Sequence, residues 1–390
     1  MYNPLTALMR DRRLWLGTGP LVLVLFAILN VAIARQSAYL GNLRLRNLTS
    51  DDVALPDPSA EIRHDRTYGV DTRSVMGAVP DATNCRLAIL TGMSQMFSIN
   101  DRQPGDQTIS EEMDDLLRGK GTRVFGLSAP NLCNEEAVFL LLSTLSDPKT
   151  KPAVFIFGAC FDKFRNVDLR PGYEDWLKED ATLRKQWLKT AERSREAFPL
   201  AADKMSRTAA NPDKNAGAAQ ASEDRVEIHI QNLASAIVPA VSERKQLNSQ
   251  ALLRLYDLRN DVFRIKNSSK RPMIRSRFEA NQQFFELLAD ICRREGVQFI
   301  SYVIPFNGQA EHPYILSEYG EFKVWFEAIC GKWNVPHGNF EDLVPEEEWG
   351  FWMGGPDFKH FRGAGHRRVA RKLIDAFQPW LLPVSPESRP

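Results

Sequence analysis

Four short runs of apolar and β-branched residues recur along the chain: RLAIL (86–90), TRVFGL (122–127), AVFIFG (153–158) and QFISYVI (298–304). Between them lie stretches with helical periodicity, among them EEMDDLLRG (111–119), NEEAVFLLLSTL (134–145), RFEANQQFFELLADICRREG (277–296) and YGEFKVWFEAICGKW (319–333). Strand-like runs that alternate with helices predict βαβ units and a parallel sheet covered on both faces, a three-layer α/β fold. Ligands of such sheets bind beyond the carboxyl ends of the strands.

Three segments break this rhythm. The apolar run from Leu14 to Ala34 contains no charge and, at the helical rise, is long enough to cross a hydrocarbon core of roughly 30 Å. Arg10, Arg12 and Arg13 precede it and favour a cytoplasmic N-terminus, so residues 1–35 read as a cytoplasmic end and transmembrane anchor. The small-x-small sequence AIA (32–34) fits a cleaved signal peptide instead, but the run is long for one. In either case the rest of the chain lies outside the cytoplasmic membrane. Residues 36–82, with ALPDPSAEI, read as a polar lead-in. Residues 166–275 read as a helical insertion, with a low-complexity stretch at 201–225 too polar to build a core. The α/β domain is thus expected from 83–165 and 276–382.

Charge changes this picture little. Fifty Lys and Arg balance 49 Asp and Glu, which gives no global field for nucleic acid. Five cysteines lie far apart with no CxxC or Cys/His spacing, so neither a metal site nor a disulfide framework is expected, and no phosphate-cradling glycine loop or other cofactor motif occurs.

The candidate chemistry sits at the two ends of the α/β pattern. RLAIL leads into Thr91-Gly92-Met93-Ser94, which places a serine hydroxyl at the end of a strand, on the ligand face. Gly92 is expected to allow the tight turn. First helical N–H groups after such a serine can stabilise an oxyanion. Near the other end, Asp357 and His360 precede a glycine-rich turn and the basic helix HRRVARK. Were the two to share one turn before that helix, His360 could take the proton of Ser94, with Asp357 orienting the imidazole. Trp349 and Trp352 lie just before this pair and are candidate substrate-binding walls. His366 reads as structural.

Together these blocks resemble the SGNH/GDSL hydrolase superfamily: a Gly-x-Ser turn after the first strand and a terminal D-x-x-H-x-x-x-x-G-H. With one N-terminal span, VIPFNG (303–308) and DFKHFRGAGHRRVA, the chain looks most like the membrane-anchored DltD-like branch, related to periplasmic polysaccharide O-acetyltransferases. The resemblance covers 85–165 and 290–380. It implies catalytic Ser94, Asp357 and His360, an oxyanion hole that includes the Ser94 N–H, no cofactor, and a cell-envelope glycan or polymer as acceptor. It also implies an MBOAT-type membrane O-acyltransferase as partner. Two departures stand out. Met93 replaces the usual Asp before the serine, and Cys160 stands where the superfamily places an oxyanion-hole Asn. Gly126, through its backbone N–H, and Asn166 are the substitutes in reach of the pattern; Asn307 is a further candidate, for substrate binding.

Overall fold

Parallel pairing joins five strands into one sheet: β1 Arg86–Thr91, β2 Thr122–Gly126, β3 Val154–Ala159, β4 Gln298–Val303 and β5 His337–Asn339. Their order is β2-β1-β3-β4-β5. The computed structural model describes residues 85–129, 131–166, 168–210, 270–352 and 355–383, with Met76 and 79–83 beside them. The expected membrane span (14–34) and most of the polar lead-in lie outside the described residues. Among the described ones no helix is long and apolar enough to cross a membrane.

Side-chain alternation divides the core between the two faces of the sheet. Leu87, Ile89, Phe155, Phe157 and Phe299 face one cluster, built with helices α2 (Asn134–Leu145), α6 (Arg275–Glu295) and α7 (Leu316–Lys332). Ala88, Leu90, Val154, Ile156, Ile300 and Tyr302 face the other, covered by α1 (Ile109–Arg118) and α8 (Gly363–Leu381). The central strands are mostly apolar because both faces are buried, and the buried Ser301 hydroxyl in β4 donates to the Phe157 carbonyl. The four strands expected from sequence are present within a residue or two of their bounds. β5, only three residues long and half exposed, carries no such signal.

The described part of the 166–275 segment forms α3 (Pro171–Glu179), α4 (Ala181–Ser194) and α5 (Pro199–Ala210). It shares the first core cluster instead of standing apart: Trp187 is fully buried, its ring 6.1 Å from Phe139, and its Nε1 donates to the Met205 carbonyl. Residues 201–210 correct the sequence expectation of a coreless polar tract. Ala201, Ala202, Met205 and Ala209 form a buried stripe at helical spacing, and these small side chains let α5 pack closely on α4. An Arg170–Glu136 pair at 2.6 Å fastens the segment to α2.

After α7 the chain makes an antiparallel hairpin, β6 (Trp349–Trp352) and β7 (Gly355–Phe361), before entering α8. Its ladder is irregular. Between the pairs Trp349–Phe361 and Phe351–Pro356, the single residue Gly350 stands opposite the four residues 357–360. A bulge re-aims side chains, and this one carries the Asp and the His.

Candidate active site

The first strand delivers the serine. Thr91 Oγ1 donates to the Leu127 carbonyl at 2.5 Å, the chain then leaves the sheet, and Ser94–Met96 close a 3-10 turn. Gly92 serves close approach and not an unusual backbone angle: a Cβ there would lie 2.5 Å from Met96 Cγ. The turn is 3-10 and not the start of an α-helix.

The hairpin delivers the partners. Ser94 Oγ lies 2.8 Å from His360 Nε2, and His360 Nδ1 lies 2.9 Å from Asp357 Oδ2. Asp357 and His360 sit in bulged β7 and not in a turn before the helix. An unbroken strand would send residues three apart to opposite faces. Here Asp357 Oδ1 accepts the N–H groups of Lys359 (3.0 Å) and His360 (3.2 Å), which folds the backbone round the carboxylate and turns the imidazole back onto it. Asp357 is buried, whereas the His360 side chain keeps 17% of its surface exposed, so the ring can meet a substrate. Burial opposes the charge on Asp357, but the hydrogen bonds from His360 and from the two backbone N–H groups outweigh it and hold the carboxyl below its ordinary range. An ionised Asp357 at Nδ1 leaves Nε2 as the acceptor that faces Ser94.

Side-chain amides lock this arrangement. Gln95, the residue after the serine, donates through Nε2 to the carbonyls of Pro305 and Lys359, both at 2.8 Å. Sequence reasoning missed it because only the tertiary fold places it. Asn100 Nδ2 donates to Asp357 Oδ2 at 3.2 Å. His366, fully buried, has Nε2 3.3 Å from the Ser98 carbonyl, in keeping with a structural role.

Other residues expected at the site have different work. Gly126 is paired with Leu90, one level below the end of the sheet, and a Cβ on it would lie 2.7 Å from Ser110 Oγ. It lets α1 approach the sheet. Asn166 is exposed, and its carbonyl accepts from Asn281 of α6, so it belongs to a helix contact. Asn307 is buried, its Nδ2 donating to the Asp357 carbonyl at 2.9 Å and its Oδ1 accepting from Gln309 N–H. That amide is buried and holds β7, its observed partners both being the protein's own backbone. Trp349 is core: 3% exposed, edge-on to Phe361, its indole N–H on the Val344 carbonyl. The Trp352 side chain lies outside the described residues.

Beyond the end of β3, next to β1, Cys160 is buried, with Sγ 3.6 Å from the Tyr314 hydroxyl; burial pushes its thiol up. No amide donor occupies that place. Asp162, also buried, pairs with Arg271 at 2.7 Å and lies 3.7 Å from Lys359 Nζ. Burial works against its charge, and Arg271 and Lys359 together hold its carboxyl below the ordinary range. All five cysteines are free thiols, and among the described residues no cluster of His, Cys, Asp and Glu is placed to hold a metal.

No protein-family model matches the chain, and no curated protein matches it. The site therefore stands on its own geometry.

Proposed function

We propose that the protein is a serine acyltransferase of the SGNH type, working through an acyl-Ser94 intermediate. The observation that carries this reading is the relay Ser94 Oγ–His360 Nε2–His360 Nδ1–Asp357 Oδ2, with links of 2.8 and 2.9 Å. These are the distances at which a general base takes a hydroxyl proton and a carboxylate steadies the resulting imidazolium.

In the first half-reaction, Ser94 Oγ attacks the acyl carbonyl while its proton passes to His360 Nε2. The Ser94 N–H, at the first position of the 3-10 turn, is the main-chain donor we assign to the new oxyanion. Collapse breaks the bond to the leaving group, which takes the proton back from His360. In the second half, an acceptor hydroxyl loses its proton to His360 and attacks the acyl-serine; collapse breaks the ester bond to Ser94, whose oxygen takes the proton back from His360. Asp357 stays ionised throughout.

The resemblance supplies the acceptor and the setting: hydroxyls of a cell-envelope polymer, an MBOAT-type membrane O-acyltransferase as donor, and a body held outside the cytoplasmic membrane by the 14–34 span. Cys160 in place of the Asn donor favours a second reading, a non-catalytic binding subunit on a hydrolase scaffold; the closed relay speaks against it. Water as acceptor would make the same residues an esterase.

A fluorophosphonate probe applied to the purified chain tests the reading. It should modify the wild type at Ser94 and leave Ser94→Ala unlabelled. A wild type that stays unlabelled, or labels elsewhere, would exclude the acyl-enzyme route.

A further inference from the structure

We propose that Asn100 is a positioning residue of this site, holding Asp357 ionised and in plane for His360, and that Gly350 exists to make room for it. The proposal rests on the acyl-enzyme reading above. Asn100 lies six residues after Ser94, in the loop that leaves the nucleophile turn. Its Nδ2 donates to Asp357 Oδ2 and to the Phe351 carbonyl, each at 3.2 Å, and its own N–H donates to the Phe361 carbonyl at 2.9 Å. Both side-chain partners are acceptors, so the amide nitrogen must be the atom that faces them.

The oxygen chosen is the informative part. Asp357 Oδ1 is already occupied by two backbone N–H groups, and Oδ2 receives His360 Nδ1. The Asn100 amide brings the count to four donors, about the full acceptor capacity of a carboxylate. No lone pair remains for a proton, and rotation of the carboxylate would break several bonds at once. Asn100 thereby ties the serine's own loop to the residue that orients the base, independently of the Ser94–His360 contact.

The opposite wall is cut to fit. Gly350 is the residue of β6 that faces the bulge, and a Cβ on it would lie 2.0 Å from Asn100 Cγ. The loop is anchored on either side of Asn100. The Ser98 carbonyl meets His366, and Asp101, in the left-handed region at φ 48°, accepts from Arg362 at 3.1 Å. An exposed loop with no role at the site would not need its amide under the hairpin.

The test is the rate of fluorophosphonate labelling of Ser94 against pH in the full chain, alongside melting temperature, for wild type, Asn100→Ala, Asn100→Asp and Gly350→Ala. Asn100→Ala and Gly350→Ala should slow labelling of folded protein by about 10- to 100-fold, the scale of a small misplacement of a catalytic group. Asn100→Asp keeps the shape but sets a second carboxylate against Asp357, which favours the imidazolium; its acid limb should move to higher pH by about one unit. If Asn100→Ala fails to fold, the Asn100→Asp profile decides. Variants that melt lower yet label at the wild-type rate with an unmoved pH profile overturn the proposal and leave Asn100 merely structural. A wild type that does not label overturns the acyl-enzyme reading itself, and this role with it.

Discussion

The side-chain amide of Gln95, the residue after the proposed nucleophile, donates to the backbone carbonyl of Lys359, the residue before the proposed base, at 2.8 Å. The same nitrogen donates to Pro305 at the end of β4, so one buried amide ties together the nucleophile turn, the central sheet and the hairpin. Gln95→Leu would leave two buried carbonyls without a donor, at about 1–3 kcal/mol each. Urea unfolding should show a loss of about 2–6 kcal/mol, and labelling of Ser94 in the protein that remains folded should slow by at least about tenfold. An unchanged labelling rate would show that the tie serves folding alone.

The three relay residues should behave as a unit. Ser94→Ala and His360→Ala are each expected to remove nearly all turnover of an activated ester, and the double variant should be scarcely worse than either. Asp357→Asn should cost on the order of a thousandfold or more. Its amide nitrogen would face either donors it cannot accept from or an imidazole forced into the wrong tautomer. Additive losses in the double variant would contradict a shared proton path.

Gly126→Ala tests the packing role assigned to that glycine. The added methyl would meet Ser110 Oγ at 2.7 Å and Cβ at 3.2 Å. Thermal unfolding should show a destabilisation of about 1–3 kcal/mol, the usual cost of overpacking. Ser110→Ala in the same chain should recover part of it. A fully tolerated Gly126→Ala would mean that α1 can shift to accommodate the methyl.

Glu135 gives the fold a pH dependence of known sign. It is fully buried at the start of α2, and burial pushes its carboxyl up to about 7 despite the nearby Lys204; unfolded, it would titrate near 4.5. A raised carboxyl favours the folded state at low pH, and that benefit is lost as pH rises through about 7. At about 1.4 kcal/mol per pH unit the loss is about 3 kcal/mol. Compared with the wild type, Glu135→Gln should therefore gain about 2–3 kcal/mol between pH 5 and pH 8 in urea unfolding. A difference that stays flat over that interval would rule out Glu135 as the titrating group.

The sheet was legible in the sequence because its central strands are buried on both faces and so read as mostly apolar runs. β5 was not, since His337–Asn339 is short and half exposed. Asp357 and His360 could be named from their spacing, but the bulge that joins them packs on Gly350 of the facing strand and on Asn100, 257 positions away from Asp357. Gln95 and Asn307 carry no sequence signal for their role either: an amide becomes a clamp only when the fold buries it against a carbonyl. Trp349 misled in the other direction. A tryptophan beside a catalytic motif suggests a binding wall, but its indole N–H had a carbonyl waiting in the core.

The 266-residue separation of Ser94 and His360 gives the site a place in time as well as in space. A ribosome adding about 5–20 residues per second finishes the serine's strand somewhere between roughly ten seconds and one minute before it reaches the histidine. Through that interval the nascent chain holds an ordinary, unactivated alcohol. β7 and α8 are among the last elements made, so the Ser94–His360–Asp357 geometry is complete only once they dock. If Ser94 is the nucleophile proposed here, a chain cut short before residue 357 should stay unlabelled by a fluorophosphonate however well its sheet has formed.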